Sequence, residues 1–195
     1  MHTANTLRKF NVSSIAVTLI SLSALSGCSS NAQTSDIAPT PAANVSYEVP
    51  STCELPEVNA AFARIIPPSK YIPANWQPAK GTDLYAALNN GGRACTYGDE
   101  DAEVGGTVMW ALNANGLWDE LVGRWSAEGL LPVDIPGIDE TAAYKLPDGA
   151  TSADGMPAWR INLLVGDLWI QLGAAFIQSF DEATPIIQAA INSAK

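Results

Sequence analysis

The arm-turn-arm pattern at 158–172 constrains this chain most. Gly166-Asp167 suits a two-residue turn between antiparallel strands, because glycine adopts the positive φ such turns need. A tight turn sets Val165 opposite Leu168, Leu163 opposite Ile170 and Ile161 opposite Leu172, so six apolar side chains share one face. Such a face needs a second layer packed on it. The other face carries Arg160, Asn162, Leu164, Trp169 and Gln171. An apolar spot around Trp169, ringed by polar groups, suits a binding surface. The alternative is that a loop, or the segment around Trp76, covers it.

The remaining pattern supplies the layers. A helix is expected over 54–66, with Pro56 in its first turn, Leu55, Val58, Phe62, Ile65 and Ile66 on one stripe, and Pro67-Pro68 as its stop. The stretch to Lys80 reads as irregular. Asp83 is expected to cap a short helix that Gly91-Gly92 ends. Strands follow at 93–97 and 107–112, the second alternating Val108, Trp110 and Leu112 against Thr107, Met109 and Ala111. Asn115 is expected to cap a helix with the stripe Leu117, Trp118, Leu121, Val122 and Trp125. A short strand at 141–146, the hairpin, and a closing helix from Asp181 or Thr184 with Ile186, Ile187, Ala190 and Ile191 inward complete the domain. One-faced antiparallel strands with amphipathic helices predict an α+β fold: about four to six strands, with helices packed on one face.

The N-terminus carries a different message. Arg8 and Lys9 precede an apolar stretch from about Val12 to Leu25, interrupted by several serines and too short to span a bilayer comfortably. Leu25-Ser26-Gly27-Cys28 then resembles the lipobox of bacterial lipoproteins. That resemblance implies a signal peptide at 1–27, cleavage before Cys28, and lipidation of its thiol. Residues 28–52, rich in Ser, Ala, Thr, Pro and Asn, are expected to form a disordered tether, and 53–195 a single domain. Export to an oxidising compartment leaves Cys53 and Cys95 to form a disulfide.

The domain also resembles small actinobacterial cell-envelope lipoproteins with an α+β, sensor-like domain. The resemblance rests on Gly91-Gly92-Arg93-Ala94-Cys95-Thr96-Tyr97, on Gly137 through Ala142, and on the Gly166-Asp167 hairpin with Trp169. It implies a fold rather than an activity.

Composition narrows the chemistry. Without 1–27 the chain has 8 Lys plus Arg against 20 Asp plus Glu, a net charge of −12, which disfavours nucleic acid and anionic lipid as partners. Its one histidine, His2, leaves with the signal peptide, removing Ser-His-Asp, Cys-His and histidine-zinc chemistry. The acidic run Asp99-Glu100-Asp101-Ala102-Glu103 departs from the EF-hand pattern, with Val104 in place of glycine and Trp110 in place of glutamate, and reads as a solvated turn. Ser69-Lys70 lacks the spacing of a serine-lysine pair. No metal, cofactor or catalytic residue is expected. The expectation is a non-enzymatic, extracytoplasmic protein held to the cell membrane, or to an outer membrane where the host has one, by lipid on Cys28. Its domain is expected to bind an envelope protein or small ligand. A carrier of lipid or another hydrophobic ligand, and a carboxylate-dependent hydrolase, are the alternatives.

Overall fold

The computed structural model describes residues 45–151 and 155–195. The expected signal peptide, Cys28 and the expected tether up to residue 44 lie outside the described residues. Among the described residues, the helices are α1 (Pro56–Ala63), α2 (Asp83–Asn89), α3 (Leu117–Ala127) and α4 (Phe180–Asn192). The strands are β1 (Lys70–Ile72), β2 (Arg93–Asp99), β3 (Val104–Leu112), β4 (Leu131–Pro132), β5 (Ala142–Lys145), β6 (Trp159–Val165) and β7 (Leu168–Ala174). They form one antiparallel sheet in the order β1-β2-β3-β7-β6-β5-β4. The fold is α+β.

The hairpin β6–β7 has the expected register, with Val165 paired to Leu168, Leu163 to Ile170 and Ile161 to Leu172. It lies inside the sheet, flanked by β3 and β5. The sheet has seven strands rather than four to six, because short strands at both edges, β1 and β4, carry no alternating pattern long enough to read.

Helices cover both faces of this sheet, not one. On the first face, α1 and α4 bring Val58, Phe62, Ile186 and Ile187 against Tyr97, Trp110, Ile161, Leu163, Ile170 and Leu172. On the second, α2 and α3 bring Ala87, Trp118, Leu121 and Trp125 against Met109, Ala111, Leu164 and Trp169. Polar Asn162 and Gln171 made the second face look solvated, yet both are buried there.

Close fit fixes these layers. A Cβ on Gly106 would lie 2.7 Å from the Phe62 ring and 3.0 Å from the Ala174 Cβ, so glycine lets α1 settle onto the strands. Trp110 is fully buried, and its indole N–H donates to the Ala190 carbonyl at 3.0 Å, satisfying an acceptor near the end of α4.

The folded unit starts before Cys53. Pro50 is buried, Tyr47 and Val49 pack on the first core, and the Glu48 N–H donates to the Ala194 carbonyl at 2.7 Å. Residues 45–52, expected in the tether, therefore belong to the domain, because they add an apolar edge and a backbone bond to Ala194, just beyond the end of α4. The helix caps differ too. Thr82, not Asp83, caps α2, its hydroxyl accepting from the Tyr85 N–H at 3.2 Å. At α3 the Asn113 side chain accepts from the Trp118 N–H at 2.8 Å, while Asn115 takes a positive φ of 56°. The cap of α4 is Ser179, and Pro185 sits inside the helix.

Candidate binding cleft and the buried polar network

The five residues expected to form a contact surface lie under α2 and α3 instead. Trp169 is 1% exposed, and its ring meets that of Trp125 with centroids 5.7 Å apart. Leu164, Asn162 and Gln171 are buried, and Arg160 keeps 27% of its side chain exposed. The reason is chemical. The Asn162 oxygen, the Gln171 amide nitrogen, the Trp169 indole and the Arg160 guanidinium find partners inside the protein.

Asp83 is the hub of those partners. Because Thr82 performs the capping, the Asp83 side chain is free to turn inward from the first turn of α2, where the helix dipole also favours its charge. Its Oδ1 accepts from Arg124 and, at 2.9 Å, from the Trp125 indole. Its Oδ2 accepts from the Gln171 amide and lies 3.8 Å from Arg160. Gln171 also donates to Asn162 Oδ1 at 2.7 Å, as does the Trp169 indole at 3.1 Å. Glu128 closes the circuit, 3.7 Å from Arg124 and accepting from Arg160 at 2.5 Å. Two carboxylates thus face two guanidiniums, and Asp83 accepts three hydrogen bonds while it neutralises two neighbouring cations. The arrangement ties α2, α3 and the hairpin together across the second core.

Cys53 and Cys95 form the expected disulfide, with Cα atoms 5.4 Å apart. The acidic run 99–103 is a turn in which Asp99 Oδ1 accepts from the Asp101 N–H at 3.0 Å. Among the described residues no group of three or more His, Cys, Asp or Glu is placed to hold a metal ion.

The disulfide anchors a cleft. Immediately after Cys53, the residues Glu54, Leu55, Pro56 and Asn59 form one wall, and Tyr71 of β1 with Tyr97 of β2 forms the other, of an open groove of about 290 Å³. The Tyr71 and Tyr97 ring centroids are 6.2 Å apart with planes inclined by 57°, and Phe62 stacks on Tyr97 at 5.3 Å. The Tyr97 hydroxyl donates to the Cys53 carbonyl at 2.8 Å, tying the two walls together. Asn59 Oδ1 is shielded from solvent without a hydrogen-bond partner. None of these residues stood out in the sequence as a site. Only the expected Cys53–Cys95 disulfide hinted that 53–56 and 95–97 meet.

Burial, and secondarily the nearby Tyr71, push the Tyr97 hydroxyl above the ordinary tyrosine range. The folded state therefore holds this proton more tightly than the unfolded chain does, so stability falls as pH rises past about 10. Tyr97→Phe is expected to lower stability by about 1 kcal/mol at neutral pH through loss of the hydrogen bond. It should also flatten the alkaline decline. Urea titrations of both proteins between neutral and strongly alkaline pH check this, and parallel declines would disprove the Tyr97 contribution.

No family model, curated protein or solved structure matches this chain.

Proposed function

We propose that this is a lipid-anchored, extracytoplasmic envelope protein whose domain binds a small ligand, or a side chain of a partner, in the cleft between α1 and the β1–β2 edge. The single observation that carries the binding reading is that cleft, walled by Leu55, Pro56, Tyr71 and Tyr97. Such sites combine apolar walls with a few polar groups, here Asn59 and Glu54. Its volume of about 290 Å³ corresponds to roughly ten water-sized groups. That suits a small molecule better than a whole lipid, so the binding module is favoured over the carrier. The anchor rests on Leu25-Ser26-Gly27-Cys28, and a non-enzymatic role on the absence of histidine after His2. Seventeen positions separate Cys28 from Val45, a reach of up to roughly 60 Å, enough to lift the domain clear of lipid headgroups.

Two measurements test the parts separately. Fatty-acid labelling in the host is expected to mark the wild-type protein and not Cys28→Ala; equal labelling of both would exclude the anchor. A fragment screen read by NMR is expected to concentrate its shifts at Leu55, Asn59 and Tyr71. Hits gathered anywhere else on the domain would refute the cleft as its binding site.

A further inference from the structure

Resting on the reading of this cleft as the binding site, we propose that its ligand is a small organic cation. Two features of the cleft point the same way. The charged residue in its lining is the exposed carboxylate Glu54, and no basic side chain lines it. Its second wall is aromatic, with half-buried Tyr71 tilted over the buried ring of Tyr97. An aromatic face carries negative potential and attracts an ammonium group within about 6 Å of the ring centre.

The surroundings agree. Lys70, next to Tyr71 in the chain, is 3.9 Å from Glu100, which offsets its charge. From residue 45 onward the sequence has 19 acidic residues against 8 basic ones, a field that concentrates cations and repels anions. An anionic ligand of the same size would meet Glu54 and the ring faces, both unfavourable.

Three four-carbon probes of matched shape separate the possibilities: butylammonium, 1-butanol and butyrate, titrated by NMR into the full-length chain in uncharged detergent micelles at low salt. Butylammonium is expected to shift the Asn59 and Tyr71 resonances and to bind roughly tenfold more tightly than butanol, with butyrate not bound. Tyr71→Leu and Glu54→Gln should each weaken butylammonium by about threefold or more at unchanged melting temperature. Equal binding of butylammonium and butanol at these residues would overturn the cation while leaving an apolar site. Failure of all three probes to bind at the cleft would overturn both readings.

Discussion

Replacing Asp83 with alanine is expected to destabilise the domain by about 3–5 kcal/mol, the range seen when one partner of a buried, hydrogen-bonded charge pair is removed. The substitution takes the acceptor from Arg124, the Trp125 indole and the Gln171 amide at once. It also leaves Arg124 and Arg160, each 27% exposed along its side chain, with Glu128 as their remaining carboxylate among these contacts. Asp83→Asn should fall between wild type and alanine. It keeps the shape and one acceptor oxygen, but turns an N–H₂ toward a neighbouring donor. Urea unfolding at neutral pH, with an unchanged dependence on denaturant, is the measurement. Glu100→Ala provides the contrast: its pair with Lys70 has side chains 65% and 62% exposed, and its loss should change stability by less than about 0.5 kcal/mol. A similarly small effect at Asp83 would mean that the network is solvated and carries no weight.

Removing the disulfide, by Cys53→Ala with Cys95→Ala, is expected to cost about 4 kcal/mol in the chain-entropy model for a link across 42 positions. The denatured chain should also expand, raising the denaturant dependence of unfolding. A local effect accompanies the global one. Cys53 holds the start of the wall formed by Glu54, Leu55 and Pro56, and its carbonyl receives the Tyr97 hydroxyl. Reduced or alanine-substituted protein should therefore lose ligand response at Tyr71 at temperatures where the rest of the domain is still folded. An unchanged melting temperature after full reduction would contradict the 4 kcal/mol expectation.

The two parts of the molecule differ in how far a reader of the chain alone can see them. The β6–β7 pairing was legible because turn chemistry and strand period act between close neighbours. Gly166-Asp167 sets the register, and a slip of one residue would send Ile161, Leu163 and Val165 to the wrong face. The stripes of α3 and α4 were legible for the same reason, as positions three and four apart share a helix face; of the α1 stripe, Val58 and Phe62 hold, while Leu55, Ile65 and Ile66 fall outside a helix that ends at Ala63. The edge strands β1 and β4 were not, since three and two residues cannot display a period. Nor was the cleft, whose walls come from a helix start and two strands and are joined through a disulfide.

The second sheet face shows the sharper division. Local chemistry assigned Asn162, Trp169 and Gln171 to one side of the hairpin, and that assignment holds. Whether that side meets water or protein depends on partners far along the chain. Asp83 stands 41 positions from Arg124 and 88 from Gln171. Polarity marks a residue as solvent-facing only while its hydrogen bonds are unmet. Once Thr82 takes over the capping of α2 and Asp83 turns inward, the Gln171, Trp125 and Arg124 bonds are made within the protein, and a polar hairpin face becomes a second core. Side-chain periodicity is set by backbone geometry within a few residues, so it can be read along the chain; the satisfaction of buried polar groups is set by distant segments meeting in space, so it appears only in the assembled fold.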